Sequence, residues 1–541
     1  MSTKIKFLLT FLILLCFIII PLPTFAAPDI DLLIDNNTLS FDVPPTIING
    51  RTLVPLRIIF ESLGATVQWD SSTKSITGIR DNITIFLQVD NTTALKNGQD
   101  LILDVPATIL DNRTMVPARF IAEALGAEVN WNEATRIVEI KSNLPYDLTK
   151  YYILENKIRT LTSTLDENFY QEFETTIRHQ FKPESYALME AYLRRTYAAK
   201  KESNGIYTGP SKTGQVQGIY EWTSGGKYVG NWLNAQMHGK GAYYWPDGGK
   251  YVGEWQNSRR TGWGILYTAD GDVYVGEWLN DNMEGHGIYY WENGELYRGQ
   301  WNNDQRSGLG IYSWSDGNEY IGQLAAGEMV GIGSFTWHDG EQYLGEYQAG
   351  FRDGEGVYYW NPDFSFRGEY VNDNRTWGTY QGPSGKILNL KENAQNIVSQ
   401  VTKPEMSPRE KLKALHDYLA LLTSYDRENF QTNTIPQEAH TAYGVFVNQK
   451  AVCDGYAEAL HSLLEEAGIE NMIVKGEAKS KTDWEGHAWL IVKIDDKYSH
   501  VDVTWADLDN EKGIDYTYYL VSDQKISQDH KWDTSLYPQC P

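Results

Sequence analysis

Three side chains in the last third of the chain have the types that nucleophilic acyl transfer requires. Cys453 lies in Ala-Val-Cys-Asp-Gly-Tyr-Ala, His487 follows a glycine, and Asp502 lies between two valines. A thiolate is the nucleophilic form of cysteine, an imidazole can accept and return its proton, and a carboxylate can orient the imidazole. Each of these residue types alone more often has a structural role. The three types in this chain order favour Cys453, His487 and Asp502 as a catalytic set.

Elements of secondary structure must bring these three residues together. The pattern predicts that Cys453 opens a helix, where the positive end of the helix dipole favours a thiolate. His487 is predicted to begin a strand, and Asp502 to lie near the end of the next strand. The midpoint between the two residues falls between positions 494 and 495, close to a turn at Asp495-Asp496. Antiparallel pairing through this turn would therefore bring His487 and Asp502 near each other across the ladder.

The sequence around these residues resembles the transglutaminase-like superfamily over about 390–540. The resemblance rests on three short segments: 451–457, 486–489 and 501–505. It implies a papain-like α+β domain at 386–541, in which Cys453 is the nucleophile, His487 the general base and acid, and Asp502 the residue that orients the histidine. Leu490 stands where many members of the superfamily have asparagine, a position with an expected structural role.

The same resemblance implies a thioester intermediate formed from an amide substrate. The acceptor of the acyl group is left open, because water would make the domain an amidase or protease and an amine would make it a cross-linker. The backbone N–H of Cys453 is the expected first oxyanion donor. The sequence contains no Cys-x-x-Cys, no His-Glu-x-x-His and no phosphate-binding loop. Neither a metal nor a cofactor is therefore predicted.

The other two cysteines lie at opposite ends of the chain, so a disulfide scaffold is excluded. Cys16 falls in residues 1–27, which read as a secretory signal peptide with basic, apolar and small-residue regions in order. We expect export by a bacterium and association with the cell surface, with an uncleaved anchor as the alternative. Cys540 raises a second alternative, a Cys453–Cys540 bridge that would silence the nucleophile.

Length and charge limit the remaining possibilities. A chain of 541 residues predicts three or four domains. The formal net charge of −24 argues against nucleic acid and anionic lipid as main partners. A protein or a peptide of the cell wall is the expected substrate.

A 62-residue repeat defines a module at 28–142. The segment 51–57 recurs at 113–119, and each copy predicts a strand, a turn, a short helix ended by Gly64 or Gly126, and a hairpin. This module resembles the N-terminal domain of copper amine oxidases. It contains no histidine or cysteine, so the resemblance does not imply copper. Adhesion at the cell wall and a spacer role remain equal alternatives.

A 23-residue repeat explains the many tyrosines, tryptophans and glycines of residues 205–385. A Tyr-x-Gly pattern starts at Tyr228 and a Gly-x-Gly pattern follows in register, with Asp-Gly or Asn-Gly turns between copies. Each copy is predicted to be one β-hairpin that stacks into a solenoid. The pattern resembles MORN repeats. A rigid spacer and an exposed aromatic groove for glycan or protein are the two interpretations.

Residues 143–204 are predicted to form a helical linker of two helices between the modules. The predicted fold class is therefore multi-domain α+β: a small α+β repeat module, a β-hairpin solenoid and a papain-like α+β domain. The predicted function is an exported cysteine acyl-transfer enzyme presented on a repeat stalk. The alternative is a non-catalytic adhesion or scaffold protein. The substrate, the acceptor and the oligomeric state are left open.

Overall fold

The computed structural model describes residues 30–541 except 40, 81, 134, 143, 145–147, 166, 480–482 and 508–512. The predicted signal peptide at 1–27 lies outside the described residues. Contacts divide the chain into two compact units, of which the first ends at residue 144. Among the helices of the described ranges, none is long and apolar enough to cross a membrane.

The described residues of the first unit form thirteen strands and two short helices. In chain order they are β1 Asp31–Ile34, β2 Asn37–Thr38, β3 Thr46–Ile48, β4 Arg51–Pro55, α1 Leu56–Ser62, β5 Thr66–Asp70, β6 Ser75–Arg80, β7 Ile83–Gln88, β8 Thr93–Lys96, β9 Gln99–Ile102, β10 Thr108–Leu110, β11 Arg113–Pro117, α2 Ala118–Ala124, β12 Glu128–Asn132 and β13 Ile137–Lys141. They form three sheets, ordered β12-β13-β1-β2, β10-β11-β4-β3 and β5-β6-β7-β8-β9.

The two copies of the 62-residue repeat have the same local structure. Each helix follows directly on a strand, and the glycine after it has a positive φ, +77° at Gly64 and +87° at Gly126. The predicted order of strand, helix and hairpin is confirmed in both copies. The copies meet where β4 pairs antiparallel with β11, with Val54 opposite Val116. Both valines are fully buried, so the repeated motif builds the core of this unit.

In the described part of the second unit, three helices come first, followed by a continuous antiparallel sheet of eighteen strands in chain order. The helices are α3 Thr149–Ser163, α4 Glu167–Gln180 and α5 Pro183–Thr196. The strands are β14 Ala199–Glu202, β15 Gly205–Thr208, β16 Gln215–Trp222, β17 Lys227–Leu233, β18 Gln236–Tyr244, β19 Lys250–Gln256, β20 Arg259–Tyr267, β21 Val273–Leu279, β22 Asn282–Tyr290, β23 Leu296–Asn302, β24 Gln305–Ser313, β25 Glu319–Ala325, β26 Glu328–Thr336, β27 Gln342–Gln348, β28 Phe351–Asn361, β29 Phe364–Val371, β30 Asn374–Gln381 and β31 Ile387–Asn389. We call this sheet the repeat array.

Tyrosine and glycine explain each other in the repeat array. Tyr251 is fully buried, and its hydroxyl donates to the backbone carbonyl of Glu254 at 3.2 Å. A methyl group on Gly264 of the neighbouring strand would overlap the Tyr251 ring. The same arrangement recurs at Tyr274 and Gly287. Glycine is therefore required where the ring of a buried tyrosine packs on the neighbouring strand.

The turns of the array differ from the prediction. The tight two-residue turns are pairs such as Asn280-Asp281, in which both residues have positive φ. Asp247-Gly248 instead lies in a longer loop between β18 and β19, where only the glycine has positive φ. The sequence predicts Asp-Gly in the hairpin turns because both residues tolerate positive φ. The pair does lie in a turn between antiparallel strands, but in this longer one. The two-residue turns begin with asparagine or alanine, as in Asn280-Asp281 and Ala326-Gly327.

The prediction of two helices linking the modules is wrong. The described residues of this segment form three helices, which lie against the repeat array in the same unit. Ile177 of α4 and Phe181, the residue after this helix, belong to one buried cluster with Val252 and Val275 of the array. Leu154 of α3 packs with Leu344. The apolar stripes of these helices cover one face of the sheet, because a half-apolar sheet must bury that face.

A C-terminal domain follows the array, with helices packed against a five-stranded sheet ordered β37-β36-β35-β34-β38. Its elements are α6 Leu390–Val401, α7 Pro408–Leu422, β32 Ser424–Tyr425, α8 Arg427–Thr432, β33 Lys450–Ala451, α9 Cys453–Glu466, β34 Asn471–Lys479, β35 Trp484–Ile494, β36 Lys497–Val501, β37 Tyr519–Val521, α10 Asp523–Ile526 and β38 His530–Trp532. One buried cluster includes Tyr343 of the array and Leu460 of α9. The array and this domain therefore share a core, and the mixed α+β fold class is confirmed.

Candidate active site

Cys453 is the first residue of α9, as predicted. The helix starts there because β33 delivers the chain to it and because Gly455 fits closely beneath the preceding segment. A methyl group at Gly455 would lie 2.6 Å from the carbonyl oxygen of Ala439. Cys453 is 7% exposed, so its thiol lies just below the surface at the positive end of the helix dipole. The backbone N–H groups of this first turn have no partner within the helix, which suits an oxyanion.

His487 and Asp502 lie in contact. The Nε2 atom of His487 is 2.8 Å from Oδ2 of Asp502. His487 lies in β35 opposite Gly476 of β34, and Asp502 follows the end of β36. Both side chains are almost completely buried.

The register that brings them together differs from the one predicted. Asp495 and Asp496 both have positive φ and form a two-residue turn between β35 and β36. The hairpin is therefore centred between these two residues, and its last pair is Leu490 opposite Val501. Asp502 reaches His487 from beyond the end of the ladder rather than directly across it. Leu490, the departure from the superfamily pattern, is fully buried in the hydrophobic core.

Asp502 is held as a carboxylate by several donors. Its Oδ1 accepts from the backbone N–H groups of Thr504, at 3.0 Å, and Trp505, at 3.4 Å. Burial opposes ionisation, but His487 and then His530 outweigh burial and hold the pKa of Asp502 well below its usual range. The carboxylate is thus ionised and fixed before any substrate arrives.

The same network keeps His487 protonated. Burial alone would lower its pKa, but the Asp502 carboxylate and, after it, the hydrogen bond and charge of Cys453 raise the pKa of His487 to about 10. Nε2 donates to Asp502, which leaves Nδ1 for the cysteine. A protonated His487 can therefore stabilise a thiolate on Cys453 by donating to it from Nδ1.

Sequence reasoning missed several residues that position this site. Asp507 accepts from the hydroxyl of Tyr456 on α9, at 2.7 Å, and from the backbone N–H of Tyr425, at 3.0 Å. Burial and then the charge of Cys453 raise the pKa of Tyr425. Through these two hydrogen bonds, Asp507 links the helix that carries Cys453 to Tyr425 of β32. The sequence offered no spacing that linked these positions.

The cysteine helix is also fixed to the repeat array. Glu458 of α9 accepts from the Tyr380 hydroxyl, at 2.7 Å, and from the backbone N–H of Ala442, at 2.6 Å. Arg375 of the array lies 3.5 Å from the same carboxylate. The last strands of the array therefore act as a support for the helix that carries Cys453.

Cys540 does not pair with Cys453, since both thiols are free. Cys540 instead closes the C-terminus, where its N–H donates to Oδ2 of Asp523, at 3.0 Å, and its C=O accepts from the Asp523 N–H, at 2.8 Å. Burial and then Asp523 raise the pKa of the Cys540 thiol to about 12. The predicted alternative of a silencing bridge is not present in this fold.

Two clusters in the described part of the chain bring three metal-ligating atoms within 4.8 Å of one another: His487, Asp502 and His530, and His500, Asp523 and Cys540. In the second cluster the Nε1–H of Trp489 donates to Nδ1 of His500 at 2.9 Å. The proton of neutral His500 is therefore on Nε2, which donates to Asp523 at 2.8 Å. A metal ion would need the lone pair at that nitrogen, so a structural role fits this cluster better. We call His500, Asp523 and Cys540 the C-terminal clasp, because their hydrogen bonds hold the last residues of the chain in place.

Comparison with protein families agrees with this organisation. Residues 395–503 match the transglutaminase-like superfamily, and residues 33–140 match the copper amine oxidase N-terminal domain. Six stretches match the MORN repeat: 228–250, 251–273, 274–295, 297–319, 320–342 and 343–362. The suspected combination of three domain types is confirmed, and the candidate site lies within and just beyond the transglutaminase-like match.

Similarity to individual proteins is limited in extent. Kyphoscoliosis peptidase from Mus musculus is 25% identical over 131 residues, which cover 23% of this chain and 20% of the mouse protein. This chain thus matches about a fifth of the length of that relative. The solved structure described as "Crystal structure of a TGase" is 22% identical with a TM-score of 0.19, covering 24% of this chain and 34% of the other.

Proposed function

We propose that the C-terminal domain is a cysteine acyl-transfer enzyme that acts on amide bonds of proteins or peptides. The observation that carries the proposal is the placement of His487. It is hydrogen-bonded to the buried Asp502, and Cys453, at the start of a helix, helps to raise its pKa. The match of residues 395–503 to the transglutaminase-like superfamily supports the same chemistry.

In the first half of the reaction, the Cys453 thiolate attacks the carbonyl carbon of the substrate amide. Donors at the start of α9 stabilise the oxyanion. The C–N bond breaks, the leaving amine takes the proton from His487, and a thioester remains on Cys453. Asp502 keeps the imidazole oriented throughout this step.

In the second half, neutral His487 accepts a proton from the incoming nucleophile. Water yields a carboxylic acid, and a primary amine yields a new amide. In either case the C–S bond breaks and the thiolate–imidazolium pair is restored. The chain's own residues support both outcomes equally, because the acceptor must supply only one proton and one lone pair.

We further propose that the enzyme is exported and acts at the cell surface. The predicted signal peptide at 1–27 supports export. The N-terminal module, whose family occurs at the front of secreted bacterial proteins, suits a surface location. In this proposal the repeat array separates the catalytic domain from the envelope. It also supports that domain structurally, because the two share a core.

A second candidate function is a non-catalytic scaffold. Half-buried rings such as Trp291, Trp314 and Trp337 recur at the repeat spacing along the array and contact neighbouring aromatic residues. Such a row could bind glycan or peptide by stacking. Retention of both the wild type and Cys453→Ala on purified cell wall, with no turnover by either, would favour this function.

The experiment that separates the two candidates uses surface protein and a labelled primary amine. Amine incorporation indicates transamidation, and new protein termini indicate hydrolysis. We expect one of these with the wild type and neither with Cys453→Ala. Cys540→Ala is the matched control, since its thiol lies in the C-terminal clasp and not in the candidate site. Turnover by Cys453→Ala would refute the enzyme proposal.

A further inference from the structure

Asp502 serves two imidazoles. Besides His487, the Nε2 atom of His530 in β38 lies 3.3 Å from the same Oδ2 of Asp502. The other nitrogen of His530, Nδ1, lies 2.8 Å from Oδ1 of Asp529. His530 is fully buried, and its ring packs on Trp505 with a centroid distance of 4.6 Å. Nothing in the expected Cys-His-Asp set accounts for this second histidine.

Both nitrogens of His530 face carboxylate oxygens. A neutral imidazole has one N–H donor and one lone pair, so one of the two carboxylates would meet a lone pair. Only an imidazolium donates to Asp502 and Asp529 together. The Tyr518 hydroxyl donates to the other oxygen of Asp529, which leaves Oδ1 for His530. The hydrogen-bond geometry therefore favours a buried, positively charged His530 between two carboxylates.

The charges around His530 are few and defined. The titratable groups that face it are Asp502, Asp529, His487, Tyr518 and His500. A positive charge here offsets part of the negative charge of Asp502. The carboxylate then holds the proton on His487 less tightly, and the cation also favours the nearby Cys453 thiolate.

We propose that His530 is a positioning residue that shares Asp502 with His487 as a charged donor and sets the pH range of the thiolate–imidazolium pair. This inference rests on the proposed function of Cys453 and His487. His530 touches no reacting atom and acts through Asp502. Its expected signature is a shift in pH dependence, which a purely structural residue would not produce.

Three variants separate charge from hydrogen bonding. Asp529→Asn removes the carboxylate partner, so that His530 becomes neutral while its Nε2–H still donates to Asp502. His530→Gln keeps a donor near the Nε2 position without a charge. His530→Asn keeps a donor near Nδ1 and loses the contact with Asp502. The readout is the rate of Cys453 alkylation by iodoacetamide as a function of pH, in the full chain.

We expect the acid limb of the alkylation profile to move to higher pH by about 0.5–1 unit in His530→Gln, because a positive charge is lost. Asp529→Asn should move the limb in the same direction by a smaller amount, because the negative charge of Asp529 is lost together with the positive charge of His530, and His530 is the group that contacts Asp502. His530→Asn should also lower the plateau rate about tenfold, because Asp502 loses a partner. If a His530 variant fails to fold, Asp529→Asn alone decides the question, since Asp529 is partly exposed.

The two levels of the proposal fail in different ways. Rapid alkylation of the wild type with an unchanged profile in Asp529→Asn and the folded His530 variants would overturn the role of His530 alone. Alkylation of wild-type Cys453 no faster than that of a free thiol would overturn the proposed function and, with it, this inference.

Discussion

The repeat array and the candidate active site bury polar side chains in opposite ways. Along the repeats of the array, a buried tyrosine such as Tyr251 donates to a backbone carbonyl three residues later, so its partner is local and uncharged. Where the array meets α9, Tyr380 donates to the carboxylate of Glu458 instead. At the site, His487 and His530 both hydrogen-bond to the ionised Asp502, and the three residues span 43 positions of sequence. The first arrangement gives a buried hydroxyl and a backbone carbonyl a hydrogen-bond partner. The second holds ionised side chains that can take part in a reaction. Substitutions in the array should therefore change stability, and substitutions at the site should change reactivity.

The largest expected effect is that of Asp502→Asn. The amide keeps the shape but cannot hold the His487 imidazole in the required tautomer and charge state, so turnover should fall by about 10³–10⁴-fold. Comparison of kcat with the thermal unfolding midpoint tests this. A fall in kcat that only follows loss of folded protein would remove the distinction between the two regions.

The pH dependence of stability should also separate them. The folded-state pKa of His487, about 10, lies above its ordinary value of 6.5. Its charge therefore stabilises the fold fully below pH 6.5, and that stabilisation is lost as pH rises toward 10, with a slope of at most about 1.4 kcal/mol per pH unit.

The array titrates in a different window. Burial raises the pKa of Tyr207 from 10.0 to about 12, so its contribution to stability is lost only above pH 10. Denaturant unfolding of the wild type and of His487→Ala between pH 6 and pH 11 measures both windows. The histidine variant should lose the slope between pH 6.5 and pH 9 and keep the slope above pH 10, where Tyr207 and Cys540 contribute. An identical slope in both proteins below pH 9 would contradict the assignment.

Gly264→Ala should act on stability alone. The added methyl group would overlap the buried Tyr251 ring, and overpacking of this kind costs about 1–3 kcal/mol. The unfolding midpoint should fall, while the alkylation rate of Cys453 in the folded protein should not change. Gly486→Ala is the matched stability control, because a methyl group there meets nothing within 4 Å. Equal destabilisation by both variants would argue against the tyrosine–glycine pairing.

The smallest predicted effect tests the boundary between the two regions. Tyr380→Phe removes the array's hydrogen bond to Glu458 on the cysteine helix, at an expected cost of about 1 kcal/mol. Because the array and the C-terminal domain share a core, a single unfolding transition should move as a whole. Two separate transitions, with only one displaced, would show that the regions fold independently.

The parts of the molecule that the sequence predicted well are the local or periodic ones. A 23-residue step identifies the hairpins because each tyrosine needs its glycine at a fixed offset. Cys453 at a helix start and His487 in a strand follow equally from local patterns. The predicted pairing register of β35 and β36 was wrong by one position in the turn. The prediction centred the hairpin between residues 494 and 495, whereas the two-residue turn at Asp495-Asp496 centres it one residue later.

What the sequence did not reveal depends on distant partners. That α3–α5 cover the repeat array depends on array residues such as Val252, which lie far along the chain, so local spacing predicted helices here but not their packing. His530 has no neighbour in sequence that signals its place beside Asp502. The clasp that holds Cys540 is equally non-local, since it depends on Asp523 and His500. Spacing alone could not distinguish that clasp from a disulfide with Cys453.

The central claim is that the fold activates Cys453 through His487. The most direct measurement compares the second-order rate of iodoacetamide alkylation of Cys453 at pH 7 in the folded protein, in the same chain unfolded by denaturant, and in folded His487→Ala, with the labelled site identified by peptide mapping. We predict that the folded wild type reacts at least about tenfold faster than the unfolded chain, despite the burial of its thiol, and that His487→Ala loses this advantage. A folded wild type that reacts more slowly than the unfolded chain would contradict the account.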